Sequence, residues 1–163
     1  MSDPSAPVVL VVDDEPSLRE VLGITLRRSG FEVATAAGVR SALAAIAGRD
    51  QPFPLVITDL VMPDGSGMEV LDAARERSDE TQVIVITAFS TVESALEAMR
   101  RGAYDFVTKP FSPAELGELA KKAIEKSQIV EENRQLRARL SSLIPADEHG
   151  LFGDDTVMRD VAI

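Results

Sequence analysis

Four of the five apolar runs of strand length in this chain end in side chains able to do chemistry. Val8–Val12 gives way to Asp13 and Asp14, Leu55–Thr58 to Asp59, Val83–Thr87 closes on a threonine, and Phe106–Thr108 runs into Lys109 and Pro110. Three carboxylates gathered in one crevice repel one another unless a cation compensates. An all-oxygen donor set that keeps some water suits Mg²⁺ better than zinc. A lysine in the same crevice cannot neutralise three carboxylates, but beside a metal it can hold a further anion such as a phosphoryl group. Aspartate is a competent nucleophile toward phosphorus and forms an acyl phosphate. These residue types therefore point to Mg²⁺-assisted phosphoryl transfer onto an aspartate.

Such a site requires strands that end side by side. The runs named above, with a fifth at Glu32–Ala36, alternate with segments of helical periodicity. The helical stripes are Leu18, Val21, Leu22 and Leu26; Val39, Ala42, Leu43 and Ile46; Val92, Ala95, Leu96 and Met99; and Leu116, Leu119, Ala120 and Ala123. Each is expected to cover the sheet. Ser66 with Glu69, Ser90 with Glu93, and Ser112 with Glu115 fit the capping box, the last with Pro113 at the first helical position. Continuous Val/Ile strands imply burial on both faces. The expected fold is α/β, a doubly wound five-stranded parallel sheet, with a C-terminal helical extension. Ligands of such sheets bind at the carboxyl ends of the strands, where the polar residues fall.

The last helical pattern continues past the expected domain end near Ser127. A heptad places Ile129, Leu136 and Leu143 at d and Asn133 and Leu140 at a, with Glu132 at g facing Arg137 at e of a partner helix. This reads as a parallel homodimeric coiled coil over residues 128–144, stopped by Pro145; the rival reading is an amphipathic helix folded back on its own domain. Residues 1–6 are expected to be disordered, 7–127 to form the domain, and 145–163 to be a linker and the start of something else.

Bulk properties narrow the function. Among 163 residues, 27 are acidic and 17 basic, a net charge of −10, which disfavours direct nucleic-acid binding by this chain. There is no Cys, so thiolate and disulfide chemistry are excluded. No apolar run approaches a membrane span, and the first residues lack signal-peptide character, giving the expectation of a cytoplasmic protein with no membrane partner.

The ordered set Asp13-Asp14-Glu15, Asp59-Leu60-Val61-Met62-Pro63 with Gly67, Thr87-Ala88 and Lys109-Pro110 resembles the response regulator receiver family over about residues 7 to 127. The resemblance implies the flavodoxin-like strand order 2-1-3-4-5 and a phosphoacceptor regulatory domain rather than a general enzyme. It implies Asp59 as phosphoacceptor, with Mg²⁺ bound by Asp14, Asp59 and the Val61 carbonyl and supported by Asp13 through water. Lys109 would pair with a phosphoryl oxygen, Thr87 would swing to hydrogen-bond it, and Phe106 stands where the family has its switch aromatic. A cis Lys109-Pro110 bond is implied as well. The donor would be a histidine kinase, because His149, the only His, lies outside the receiver. Val61 and Phe89, each two residues after a key group, are apolar where polar side chains could orient water, which suggests slow self-dephosphorylation.

Plainer readings remain beside these. Asp59 could be a loop carboxylate, Thr87 an ordinary strand residue, and Phe106 core packing shared with Tyr104 on the same strand face. Residues Gly150 to Val161 look like the opening of the AAA+ domain of NtrC-like activators, which serve the alternative sigma factor, and Thr87–Glu93 resembles their receivers. No Gly-x-x-x-x-Gly-Lys loop or helix-turn-helix follows, so a regulatory fragment controlling a missing ATPase, and through it transcription, is expected. Two other functions compete: a Mg²⁺-dependent phosphohydrolase, against which stands Asp-Asp where Asp-x-Asp is expected, and a phosphorylation-independent dimer scaffold.

Overall fold

The computed structural model describes residues 6–143, and the expectations for Pro145, His149 and the segment from Gly150 lie outside them. The elements run β1 (Val8–Val12), α1 (Pro16–Arg28), β2 (Glu32–Ala36), α2 (Val39–Gly48), β3 (Leu55–Asp59), β4 (Val61–Met62), β5 (Gly65–Ser66), α3 (Gly67–Arg77), β6 (Gln82–Thr87), α4 (Val92–Arg100), β7 (Asp105–Thr108) and α5 (Pro113–Leu143). The main sheet has the order β2-β1-β3-β6-β7 and is parallel throughout. With the β4–β5 hairpin set aside, this is the expected order 2-1-3-4-5.

Strand alternation builds two core layers. Leu10, Val12, Val56, Val83 and Val85 face a cluster completed by α2, α3 and α4, while Val9, Val11, Leu55, Ile57, Ile84 and Ile86 face one completed by α1 and α5. A strand buried on both sides has no polar side to mark, hence the unbroken Val/Ile runs. Three of the four helical stripes cover the sheet through Leu22 and Leu26, through Val39, Ala42 and Ile46, and through Leu116, Ala120 and Ala123.

The α4 stripe turns outward, contrary to expectation. Val92, Leu96 and Met99 are 76%, 56% and 46% exposed, and Ala98 is the buried residue of this helix. Ser94 and Ala95 are half-buried beside it. These small side chains fill the inner face, and periodicity identifies an apolar stripe without fixing which way it points. The α4 cap also differs. Thr91 rather than Ser90 is the N-cap, its hydroxyl accepting from Ser94 N–H at 2.9 Å, while Ser94 Oγ accepts from Thr91 N–H. Ser66 and Glu69 do form the expected capping box on α3.

Two compact units divide the chain after Gln128. The second, among described residues, is the helical stretch 129–143, on which Ile129, Leu136, Leu140 and Leu143 are each more than half exposed and Asn133 is exposed. No helix among the described residues is long and apolar enough to cross a membrane.

Candidate functional site

Register brings the candidate residues into one row. Val12 on β1 is level with Thr58 on β3, Asp59 with Ile86 on β6, and Thr87 with Thr108 on β7. Asp13 and Asp59 therefore emerge side by side at the carboxyl ends of the neighbouring strands β1 and β3. The ladder extends one residue further at both flanks, with Asp13 N–H donating to the Ala36 carbonyl at 3.1 Å and Lys109 N–H to the Thr87 carbonyl at 2.9 Å. These bonds fix the backbone from which the side chains spring. The Lys109-Pro110 peptide is cis, as the resemblance implied.

Lys109 is the electrostatic centre. Its Nζ lies 3.2 Å from Asp13 Oδ2, 3.4 Å from Asp59 Oδ2 and 3.6 Å from Glu15 Oε1. Both central aspartates divide their oxygens in the same manner. Asp13 Oδ1 accepts from Glu15 N–H at 2.9 Å and Asp59 Oδ1 from Leu60 N–H at 2.8 Å, leaving each Oδ2 toward the lysine. Asp13 is fully buried, and burial pushes its carboxyl pKa up despite the hydrogen bond from Glu15 and the charge of Lys109. Burial pulls Lys109 down, but the carboxylates of Asp13 and Asp59 together outweigh it, so its ammonium is held more firmly than usual.

Asp13, Asp14 and Asp59 each offer a carboxylate oxygen, and these oxygens lie within 4.8 Å of one another. The donor set is hard oxygen, with Asp14 exposed and two partners buried, and it fits Mg²⁺ with coordinated water. Thr87 is fully buried, its Oγ1 accepting from Phe89 N–H at 3.0 Å. Val61 and Phe89 are exposed beside this cluster in sequence, at 51% and 69%.

Phe106 is half-buried in the layer that holds Ala98 of α4. Tyr104 packs in the opposite layer, where Lys126 Nζ stands 5.9 Å from its ring centroid. The two aromatics do not share a strand face, because Tyr104 precedes β7 and escapes its alternation. Reading from sequence also passed over Arg19, whose Nη1 donates to the Asp13 carbonyl at 2.6 Å. Its spacing of six from Asp13 across a strand-to-helix turn offers no periodic signal.

Residues 9–121 match the response regulator receiver domain family. The chain belongs to this family. Among curated proteins it is 40% identical over 115 residues to the response regulator protein PilR of Pseudomonas aeruginosa, covering 71% of this chain and 25% of that protein. It is 40% identical over 145 residues to the C4-dicarboxylate transport transcriptional regulatory protein DctD of the same organism, covering 89% and 30%. The chain thus spans about a third or less of these relatives' lengths. Among solved structures, the beryllofluoride-activated NtrC4 receiver domain dimer superposes with TM-score 0.68 at 38% identity, covering 74% of this chain and 98% of that one. NtrX from Brucella abortus gives 0.72 at 38%, covering 83% and 30%. The resemblance to receivers of NtrC-like regulators drawn from the sequence holds, and this receiver is a regulatory phosphoacceptor domain of two-component signalling.

Proposed function

We propose that this receiver takes a phosphoryl group on Asp59 from the phosphohistidine of a sensor kinase and passes the event on as a change in dimer geometry. The observation that carries the reading is the position of Lys109 Nζ between Asp13 and Asp59, with Asp14 completing an oxygen cluster. Asp14, Asp59 and the Val61 carbonyl would hold Mg²⁺, with Asp13 acting through water. The metal supplies charge neutralisation for the transferring group. Asp59 Oδ2 forms the new bond to phosphorus as the bond from phosphorus to the donor nitrogen breaks, and that nitrogen keeps the electron pair. Lys109 then trades its contact with Asp59 for a phosphoryl oxygen.

Thr87 must give up its bond from Phe89 N–H to reach the new group, an exchange of one hydrogen bond worth about 1 kcal/mol for a charge-assisted one. Phe106, packed in the layer shared with α4, follows the space Thr87 vacates. Coupling of this kind amounts to about 1–3 kcal/mol. The readout is the surface of α4, β7 and α5, and α5 carries on through the heptad Ile129, Asn133, Leu136, Leu140 and Leu143, which pairs with a second copy. In the parent protein an AAA+ ATPase serving the alternative sigma factor would be the target, in keeping with the transcriptional relative DctD. Intracellular signalling of this type places the chain in the cytoplasm.

Intact mass after incubation with acetyl phosphate and Mg²⁺ tests the acceptor. The wild type gains one phosphoryl group and Asp59→Ala gains none. Equal modification of both, or repeated turnover of a generic phosphate ester by the wild type, overturns the assignment.

A further inference from the structure

The α2 helix begins without a side-chain cap of its own, since its N-cap is Gly38. Its first two amides are satisfied from elsewhere in the chain. Val39 N–H donates to Asp64 Oδ1 at 2.9 Å and Arg40 N–H to Asp64 Oδ2 at 3.0 Å. Asp64 stands in the turn of the β4–β5 hairpin, whose strands pair Val61 with Ser66 and Met62 with Gly65. A Cβ on residue 38 would come within 2.7 Å of Asp64 Oδ1, so the glycine leaves the room this carboxylate needs.

The hairpin has only these two residue pairs and cannot hold its shape alone. It is held at three points. At its base, Gly67 lies so close to Asp59 that a Cβ there would overlap the Asp59 carbonyl oxygen. Along its side, Met62 is buried in the core layer that also contains Val39. At its tip stands the Asp64 clamp. Val61, whose carbonyl is the backbone ligand in the proposed function, lies between the first and third of these.

We infer that Asp64 is a positioning residue for the metal site, holding the Val61 carbonyl in place by clamping the hairpin turn to the first turn of α2 across about two dozen residues of sequence. The inference rests on the proposed Mg²⁺ site. Its physical basis is that a ligand on a two-pair hairpin pays ordering entropy on metal binding unless that hairpin is already fixed. The clamp is a charged one, two backbone amides on one carboxylate at a helix N-terminus, where a negative charge is favoured. Those same amides, Arg40's first and Val39's second, hold the Asp64 carboxyl below the usual range.

Calorimetric titration with Mg²⁺ of the wild type, Asp64→Ala, Gly38→Ala and the double variant is the test, with thermal unfolding in parallel. Asp64→Ala weakens Mg²⁺ binding roughly tenfold, the low end of what loss of a ligand-orienting partner costs. Gly38→Ala, which displaces the same carboxylate from the other side, weakens it similarly, and the double variant is no worse than the poorer single. Leu26→Ala, in the opposite core layer, lowers the unfolding temperature without moving Mg²⁺ affinity. If Asp64→Ala unfolds earlier yet binds Mg²⁺ like the wild type, Asp64 is a helix cap alone and the inference fails. Additive losses in the double variant also overturn it. A wild type that binds no Mg²⁺ defeats the proposed site itself, whereas wild-type binding with unaffected variants defeats only the role of Asp64.

Discussion

Asp13 and Asp59 each spend one carboxylate oxygen on a neighbouring backbone amide and turn the other to Lys109. That division fixes the orientation of both carboxylates, and at Asp59 it depends on where the backbone of residues 59 to 67 lies. Gly67→Ala is therefore expected to do more than fill space. Its Cβ meets the Asp59 carbonyl rather than a yielding side chain, so urea unfolding shows a loss of about 2 kcal/mol, the usual cost of overpacking, together with slower phosphorylation by acetyl phosphate. Normal stability and rate would mean that the contact relaxes freely. We propose that Val61 and Phe89, exposed apolar side chains two residues after Asp59 and Thr87, set the lifetime of the phosphoryl group, because neither offers a polar group to orient an attacking water. Val61→Asn and Phe89→Glu each shorten the phosphoryl half-life measured by decay of the intact mass. Unchanged decay in both contradicts that account.

At the scale of elements, the strands were the most legible part of the sequence. Val8–Val12 and Glu32–Ala36 are strands with the expected limits, and the other three differ by one residue at one end. For the three inner strands the reason is physical: strands buried on both faces demand unbroken apolar, largely β-branched runs, and a run either exists or does not. Helix α4 was read with Val92, Leu96 and Met99 inward, and of its expected stripe only Ala95 is half-buried, because Ser94 and Ala98 give a weaker sequence signal, although small residues suit close packing. Val92→Ser and Leu96→Ser are accordingly expected to leave stability within about 0.5 kcal/mol, whereas Leu71→Ala in the core costs about 3 kcal/mol. Chemical denaturation distinguishes the two classes, and a core-sized loss at Leu96 would return the stripe to the sheet side.

The hairpin and its clamp were not legible at all. Two-residue strands carry no periodicity, and a cap supplied from 24 and 25 positions away is invisible to any local motif. Asp64 also gives a pH signature. Its carboxyl titrates below its ordinary value of 3.8 in the folded chain, so the folded state binds this proton less readily than the unfolded one. Its stabilisation is complete above the unfolded value and is lost as pH falls through the lower folded value. The difference in unfolding temperature between wild type and Asp64→Ala thus stays constant from neutrality down to about pH 5 and narrows in stronger acid. A difference that grows in acid contradicts the clamp.

Over the whole molecule, the acidic cluster and the proposed output surface lie on different parts of one sheet. The acidic cluster occupies the carboxyl ends of β1 and β3, Thr87 and Lys109 the ends of β6 and β7, and Phe106 the layer shared with α4. The candidate site residues Asp13, Asp14, Asp59, Thr87 and Lys109 could be picked out because each stands at the end of an apolar run. What reading along the chain could not supply was the meeting of Lys109 with Asp13 and Asp59, which strand register creates. Light scattering with and without beryllofluoride and Mg²⁺, on wild type and Asp59→Ala, tests most directly whether this site drives association. The account predicts altered association or hydrodynamic size in the wild type on adding beryllofluoride, and none in Asp59→Ala. The same change in both proteins, or no change in a wild type whose Asp59 accepts a phosphoryl group, would contradict it.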